Sequence, residues 1–387
     1  MIHSQLKDPL GWLLGDAAAG FLDTRFEQEP VVMHDGDAER FRPLLSIAAV
    51  DRKISELDLR EGMLSMANAN QPIQTADFVA ANGAVDRVGV ARLYRRGGTV
   101  ILNQLHQSDI PLAAFCRAVE RIFSCHVQTN IYLTPPGSQG FHTHYDSHDV
   151  FILQIEGEKA WRLYDRPVDA PYRGESFEPG KHPVGEPRQS FTLKAGDCAY
   201  VPRGLMHDAS TSGEWASLHI TCGLLVKTWA DLMLEAVSQV CVEDPSFRRS
   251  LPPGFANPGF DRGQAQDHFS ELVTRLAGLV EMGPSLDVIT DLFIRSREPD
   301  VRGAIEGASR PLAARYRARP ALWKLEDADP GLRLVVPGGD MTFARAPRVV
   351  LERALDGEPF APHDLGWEEA DDVIRRLATT GLIEPID

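Results

Sequence analysis

Three histidines and two aspartates lie within eight consecutive positions of the chain, directly before an apolar run. The segment is FHTHYDSHDVFIL, residues 141–153, and the five residues are His142, His144, Asp146, His148 and Asp149. Imidazole nitrogens and carboxylate oxygens together suit first-row transition metals such as iron. The segment therefore predicts a metal site.

Strand geometry limits which of these side chains can share one metal ion. Residues two apart in a strand point to the same face, so His142, His144, Asp146 and His148 would all face one way. A mononuclear site cannot use all four. The regular alternation must therefore break within the segment.

Two ligand sets are compatible with the residues. The first combines His144 and Asp146 with His207, which follows an apolar strand and a Pro-Arg-Gly turn in YVPRGLMHDAS; two imidazoles and one carboxylate leave half of an octahedral Fe(II) open. The second combines His142, His144, Asp149 and His207. Strand alternation disfavours the second set because Asp149 is odd-numbered, but the residues alone leave both sets open.

The sequence pattern around this segment predicts an antiparallel barrel or sandwich. Residues 126–226 alternate short apolar runs with Gly and Pro turns, which is typical of such folds. EGEK (156–159) and KAGD (194–197) stand where hairpin turns are expected. Upstream, the patterns predict helices over 9–28, over AERFRPLLS and over 110–125, with short strands in PVVMH and TVILNQL.

After Val226 the pattern becomes helical. KTWADLMLEAVSQVCVE, AQDHFSELVTRLAGLVEMG and SLDVITDLFIRSRE each carry an apolar stripe at helical spacing. The last 80 or so residues pair the strand-like runs LRLVVPGG and MTFAR with two helical patterns. Two helices with flanking strands in so short a stretch predict a winged-helix-like unit.

Composition excludes several classes of protein. The chain has 387 residues and a net charge of −15, which argues against nonspecific binding to nucleic acid or to an anionic membrane. Five cysteines without a CxxC pair indicate reduced thiols in a reducing compartment. No apolar run is long enough to predict a membrane span or a signal peptide, so we expect a cytoplasmic protein.

The central segments resemble a known family. TNIYLTPPGSQGFHTHYDSHDVFILQIEGEKAWRLYD, GDCAYVPRGLMHDAS and SLHIT are similar to the JmjC-type cupin oxygenases of the ribosomal-oxygenase group, Fe(II)/2-oxoglutarate enzymes that hydroxylate Arg or His of ribosomal proteins. The family's H-x-D…H motif falls on His144, Asp146 and His207, so the resemblance favours the first ligand set. It implies a double-stranded β-helix (jelly-roll) core.

The resemblance also assigns the remaining site residues. An Arg or Lys shortly after H-x-D binds the far carboxylate of 2-oxoglutarate in the family, and Lys159 falls at that place. Asn130, Tyr132 and Thr221 match positions that imply further cosubstrate contacts. His219 is expected to be a packed, hydrogen-bonded histidine of the barrel. As substrate contacts at the mouth of the site we expect His142, His148 and, at the rim, Asn103.

The family's organisation implies three domains. These are a catalytic cupin with a helical N-terminal part over 1–226, a helical dimerisation domain over 227–305 and a winged-helix-like domain over 306–387. Direct DNA binding is not expected, because the best-formed helix of the last domain begins with Glu368, Glu369, Asp371 and Asp372, which would repel phosphates.

These observations predict a dioxygenase that uses Fe(II), 2-oxoglutarate and O2 to hydroxylate a protein or peptide side chain, with release of succinate and CO2. No catalytic residue is expected beyond the metal ligands. The resemblance implies a ribosomal-protein substrate and a homodimer. Two alternatives stay open: another metal-dependent cupin enzyme, acting on a small molecule or a natural-product peptide without need of Lys159, and a non-catalytic binding or regulatory cupin.

Overall fold

The computed structural model describes residues 5–211 and 213–386. The chain divides into two compact units, of which the first ends at Val226 and the second begins at Lys227. Each unit has its own cluster of buried apolar side chains. All residues of the predicted metal site lie in the first unit.

The strands of the first unit form two antiparallel sheets. In chain order they are β1 (Val31–Met33), β2 (Leu64–Ala67), β3 (Thr99–Leu102), β4 (His126–Thr134), β5 (Asp149–Glu156), β6 (Glu158–Leu163), β7 (Gln189–Lys194), β8 (Cys198–Val201), β9 (His207–Ser210) and β10 (Ser217–Leu225). Within the described residues, β1-β8-β5-β10-β4-β3-β2 is the order of a seven-stranded sheet and β7-β6-β9 that of a three-stranded sheet. Two such sheets agree with the predicted jelly-roll core.

The helices of this unit precede its central strands. They are α1 (Pro9–Leu14), α2 (Phe21–Thr24), α3 (Ile47–Glu56), α4 (Arg87–Tyr94) and α5 (Ile110–Phe123). Helix α5 begins as predicted, because the Asp109 carboxylate accepts a hydrogen bond from the Leu112 backbone nitrogen at 3.0 Å. The predicted helix over 9–28 is interrupted at Gly15 and Gly20, both of which have positive φ.

The helix predicted over AERFRPLLS is wrong. Residues 38–44 form turns, and helix α3 begins only at Ile47, where the Ser46 hydroxyl accepts a hydrogen bond from the Ala49 nitrogen at 3.1 Å. Pro43 lacks the backbone N–H that a continuous helix through this segment would use. The cap at Ser46 therefore sets the start of the helix.

The turns at EGEK and KAGD do not close hairpins. Strand β5 pairs with β10 and β8, whereas β6 pairs with β7 and β9, so EGEK carries the chain from one sheet to the other. KAGD does the same between β7 and β8. At Gly157 (φ +67°) a Cβ atom would lie 2.1 Å from the Ala216 carbonyl oxygen, so this crossing requires glycine.

Strand β5 is buried on both faces. Phe151 and Leu153 belong to the large apolar cluster that also contains the side chains of the N-terminal helices. Val150 and Ile152 point the other way, into a cluster with Trp161 and other residues of the smaller sheet. This double coverage explains why β5 reads as a continuous apolar run.

The second unit contains helices and short strands. Its elements are α6 (Trp229–Glu243), α7 (Arg262–Leu279), α8 (Met282–Arg295), α9 (Ala304–Ala308), β11 (Arg315–Ala318), β12 (Lys324–Asp327), β13 (Leu332–Val336), β14 (Gly339–Phe343), α10 (Arg348–Leu355), α11 (Ala370–Thr379) and β15 (Ile383–Ile386). Strands β12, β13 and β14 form one antiparallel sheet, and β11 pairs with β15. Across the described part of the chain, no helix has the length and hydropathy needed to cross a bilayer.

Candidate metal centre and ligand pocket

The histidine-rich segment is a loop, not a strand. Strand β5 starts only at Asp149, and residues 141–148 are bends and irregular coil except for a single bridge. In that bridge the His144 nitrogen donates to the His207 carbonyl at 3.0 Å, and the His207 nitrogen donates to the His144 carbonyl at 2.7 Å. Strand alternation therefore does not apply before Asp149, and the bridge brings two histidines distant in sequence together.

His144, Asp146 and His207 converge on one point. One ligand atom from each lies within 4.8 Å of the other two, and the His207 Nε2 atom is 3.7 Å from the Asp146 carboxylate. In both imidazoles the Nδ1 atom contacts a backbone carbonyl two residues earlier in the chain. The His144 Nδ1 atom is 2.8 Å from the His142 carbonyl oxygen, and the His207 Nδ1 atom is 3.0 Å from the Leu205 carbonyl oxygen. These contacts orient the rings and leave both Nε2 atoms free for a metal.

The protonation states of this cluster suit a cation. Burial alone would raise the pKa of Asp146, but the neighbouring histidines, His207 foremost, bring this pKa below its ordinary value. Burial, followed by the nearby His144, lowers the pKa of His207. A neutral imidazole and an ionised carboxylate are forms that bind a metal, so the pKa shifts of His207 and Asp146 suit a divalent ion such as Fe(II).

A pocket of about 70 Å³ opens beside the three side chains. A single water needs roughly 10–15 Å³ by the same measure, so the pocket accommodates a small ligand. Its wall combines apolar and polar residues, namely Thr99, Tyr132, Gly140, Phe141, Val150, Ile152, Lys159, Trp161, Asp208, Ala209, His219 and Thr221.

Lys159 is a buried cation in this pocket. It is the second residue of strand β6 and is 4 % exposed, and its ammonium donates to the Thr134 hydroxyl at 3.1 Å. Burial lowers its pKa to about 7. No carboxylate pairs with this lysine among the residues described, and a buried ammonium of this kind fits an anionic ligand.

Two other lining residues stack on each other. The Tyr132 and His219 rings lie 4.8 Å apart and nearly parallel, and Trp161 meets His219 edge-on. Burial raises the pKa of Tyr132 and keeps its hydroxyl protonated. The His219 Nδ1 atom is buried with no hydrogen-bond partner in the described chain; the packed position agrees with the sequence prediction, but the predicted hydrogen bond is absent there.

The structure contradicts the second ligand set. Asp149 is fully buried and binds elsewhere: its carboxylate accepts from the Tyr200 hydroxyl at 2.7 Å and from Arg203 at 2.9 Å. His142 is exposed. A carboxylate held in an ion pair cannot also turn toward His144, so Asp149 has a structural role at the start of β5.

The other predicted contacts differ in whether they line the pocket. Thr221 lines it, whereas Asn130 accepts from the Gln104 backbone nitrogen at 3.1 Å. His148 lies against Gly223 of β10, and its Nδ1 atom is buried without a partner among the described residues. Asn103 is outside the pocket wall and donates its amide to the Gly62 carbonyl and to the Ser65 hydroxyl.

Three residues near the site were not predicted. Thr134 accepts from Lys159 and from Thr99 at 3.2 Å, and Asp208 accepts hydrogen bonds behind His207. Threonine is common in strands, so nothing in the sequence distinguishes Thr134 or Thr99. The sequence contains a weak indication of Asp208, because an acidic residue within a strand and next to a predicted metal ligand is unusual.

Comparison with known proteins agrees with this geometry. Residues 103–232 match the family model described as JmjC domain. The chain is 42% identical over 172 residues to the bifunctional lysine-specific demethylase and histidyl-hydroxylase NO66 of Dictyostelium discoideum, covering 41% of this chain and 32% of that protein. It is 26% identical over 323 residues to ribosomal oxygenase 1 of Danio rerio, covering 78% and 58%.

A solved structure supports the fold. The ribosomal oxygenase YcfD of Escherichia coli, in complex with cobalt and 2-oxoglutarate, superposes with a TM-score of 0.54 at 14% identity, covering 96% of this chain and 99% of that one. The chain spans less than two thirds of the length of the two curated relatives. Residues 103–232 therefore carry a JmjC domain, and the chain is similar to the ribosomal oxygenases in sequence and in fold.

Proposed function

We propose that the protein is an Fe(II)- and 2-oxoglutarate-dependent oxygenase that hydroxylates a side chain of a protein or peptide. The observation that carries this proposal is the presence, in one pocket, of a two-histidine, one-carboxylate cluster and a buried lysine that has no carboxylate partner among the described residues. The cluster suits an iron with open positions. The lysine suits the far carboxylate of a dicarboxylic cosubstrate.

Each residue has a role that follows from its place. His144, Asp146 and His207 would hold the metal, while Lys159, with hydroxyl contacts from Tyr132 and Thr221, would hold 2-oxoglutarate. Iron and 2-oxoglutarate would supply the oxidation itself, in which one oxygen atom of O2 enters a substrate C–H bond and the other enters succinate as CO2 is released. The chain contributes positioning and apolar walls that exclude water.

The activity is tested by following conversion of 2-oxoglutarate to succinate by the purified full-length protein with Fe(II). We expect His207→Ala to abolish conversion, because one of three ligands is lost. His268→Ala is the matched control, since this histidine is exposed on helix α7 and its loss should leave the rate unchanged. Absence of 2-oxoglutarate binding by the wild-type protein in calorimetry would refute the proposal.

Lys159 separates the proposal from its main alternative. A metal-dependent cupin enzyme acting on a small molecule would not need this lysine, so Lys159→Ala would spare its activity. Under the proposal, the same variant loses affinity for 2-oxoglutarate while the metal stays bound. A non-catalytic cupin would show no turnover with any variant.

We infer that the substrate is an Arg or His side chain of a ribosomal protein. The names of the relatives support this, since they include a histidyl-hydroxylase and ribosomal oxygenases. The net charge of −15 would also favour the approach of a basic protein. Mass spectrometry of ribosomal proteins from cells with and without the gene should reveal one protein that is heavier by one oxygen atom only when the gene is present.

Residues 227–305 would form the dimerisation domain. Helix α6 exposes Trp229, Met233 and Val237, which are spaced four apart on one face, and helix α7 exposes Phe269 and Val273. Apolar side chains exposed in such a row usually mark an interface. A second copy of the chain is the partner we propose for them.

Residues 306–387 would form a winged-helix-like domain that docks protein. Helix α11 has Asp371 and Asp372 in its first turn, so its N-terminal half is unsuited to DNA phosphates. We place the protein in the cytoplasm, where ribosomal proteins are made and where its free cysteines would stay reduced.

A further inference from the structure

The loop that carries two of the three cluster residues is held by the segment around the third. Going along the loop, Ser138 bonds with Thr211, His144 with His207, and the Asp146 carbonyl accepts from Gly204 at 2.9 Å. The partners run in opposite directions, as in a distorted antiparallel ladder. Most of these links are backbone bonds, which fix the path of the loop but not its side chains.

Asp208 adds a link through side chains. Its carboxylate accepts from the Thr143 hydroxyl at 2.6 Å, from the Tyr164 hydroxyl at 2.7 Å and from the Arg162 Nε atom at 2.8 Å. Asp208 is 3 % exposed. Thr143 precedes His144 and Asp208 follows His207, so this bond joins the neighbours of two cluster histidines.

Strand register places Asp208 behind the cluster. Arg162 lies opposite Asp208 and Leu163 lies opposite His207 in the pairing of β6 with β9. Because successive side chains alternate, Asp208 and His207 point to opposite faces of the smaller sheet. The hydrogen bonds of the Asp208 carboxylate therefore go to Thr143, Tyr164 and Arg162 and not to a cluster histidine, and the link to the loop passes through Thr143.

We propose that Asp208 is a positioning residue that fixes the separation of His144 and His207, so that metal affinity depends on its bond to Thr143. A buried carboxylate with three hydrogen-bond donors has one preferred position. Arg162 belongs to strand β6 and Tyr164 directly follows that strand, so these two donors hold the carboxylate against β6. Thr143 lies on the loop, so its side-chain bond to Asp208 adds to the backbone bonds that hold the loop against the segment around His207. The proposal rests on the proposed function only in that the cluster binds a divalent metal.

The test uses Thr143→Val, which keeps the shape of the side chain and removes its hydroxyl. Metal-stripped full-length protein is titrated with Co(II), and affinity is measured by calorimetry while the visible absorption spectrum of the bound ion reports its geometry. We expect Co(II) affinity to fall about tenfold, the lower end for outer hydrogen-bond partners of metal ligands, with a changed spectrum. Thr143→Ser restores the hydroxyl and should restore both.

Asp291→Asn is the matched control. Asp291 is a nearly buried carboxylate of the second unit that bonds with Arg295, Lys324 and Arg333, so its loss should lower the melting temperature without changing Co(II) affinity. Equal Co(II) affinity and spectrum in wild type and Thr143→Val would overturn the positioning inference alone. Failure of the wild type to bind Co(II) would overturn the proposed function as well.

Discussion

At the scale of single residues, the burial of Lys159 bears directly on which ligand the pocket can bind. Its ammonium is buried against the Thr134 hydroxyl, and burial lowers its pKa to about 7. A bound carboxylate would favour the charged form and raise this pKa again. Under the proposed function, protonation of Lys159 and binding of a dicarboxylate are therefore linked.

We expect affinity for 2-oxoglutarate to depend on pH through Lys159. Below about pH 7 the lysine is already charged, so affinity should be constant; above it, binding must take up a proton, and affinity should fall by up to tenfold for each pH unit. Calorimetry on the full-length protein with Co(II), from about pH 6 to about pH 9, measures this. Lys159→Met should bind more weakly by at least about tenfold and lose the pH dependence.

The stability of the ligand-free protein gives an independent check that the pKa of Lys159 is lowered in the folded state. Because the folded pKa of Lys159 is lower than the unfolded value, the unfolded chain binds more protons between about pH 7 and the ordinary value of 10.5. Its contribution to stability therefore rises with pH in that window, and Lys159→Met should remove this rise. An unchanged slope of melting temperature against pH in the variant would mean that Lys159 is charged throughout.

Thr134 should matter to the same ligand through Lys159. Its hydroxyl receives hydrogen bonds from Lys159 and Thr99, so Thr134→Val removes the acceptor that holds the ammonium in place. We expect KM for 2-oxoglutarate to rise about threefold to tenfold with kcat nearly unchanged, which corresponds to the net free energy of one ordinary hydrogen bond, about 0.5–1.5 kcal/mol. Thr134→Ser should restore KM, and a loss of kcat alone would contradict this role.

The sequence predicted the cluster residues but not their supports. The H-x-D spacing and a distant histidine made His144, Asp146 and His207 one of two candidate ligand sets, which the family resemblance favoured, and the structure brings those three together. Lys159 depended on the family resemblance, since a lysine in a turn is ordinary. Thr134 and Asp208 act through contacts between strands distant in sequence, which no local pattern contains.

At the scale of elements, the start of strand β5 depends on a buried ion pair. Asp149 accepts from Tyr200 of β8 and from Arg203, which lies in the turn before His207. Arg203 also pairs with Glu27. This network connects β5, β8 and the turn that leads to the third cluster residue.

Asp149→Ala should destabilise the fold without removing the metal. The change leaves a buried guanidinium short of a partner, which costs about 3–5 kcal/mol in comparable cases, measured as the free energy of unfolding in urea. Adding Arg203→Met should recover part of that loss, because the unpaired charge is gone. The folded variant should still bind one Co(II); loss of that ion would revive the ligand set that includes Asp149.

Element types were predicted better than element partners. The strands around β4, β5, β8 and β10 and the helix α5 follow from periodicity and caps, which are local. The turns at EGEK and KAGD were recognised as turns, but hairpin pairing was wrong, because partners in a jelly roll are set by the crossing between sheets. The failed helix at AERFRPLLS shows the same limit, since Pro43 and the Ser46 cap outweigh its apolar spacing.

At the scale of the whole molecule, the two units differ in how they use apolar residues. The first buries most of its large apolar side chains in clusters on its two sheets, with Trp215 and Val88 among the exposed exceptions. The second has its own core around Leu334, Leu351 and Phe360, yet its helices α6 and α7 leave Trp229, Met233 and Phe269 more than 60 % exposed. The sequence pattern does not distinguish a buried helix face from an exposed one, because an apolar stripe has the same spacing whether it packs on a core or on a partner.

A charge placed on the exposed row of α6 should therefore dissociate the proposed dimer. Met233→Glu puts a carboxylate at the centre of the Trp229–Val237 face, where burial against a second copy would strip its water. Sedimentation at micromolar concentration should give a mass of about twice 42.7 kDa for the wild type and that of one chain for the variant. Val349→Glu is the matched control, because Val349 is equally exposed, at 68 %, but lies on helix α10. This variant should sediment like the wild type. A monomeric wild type would contradict the proposed dimer and leave another partner for helices α6 and α7.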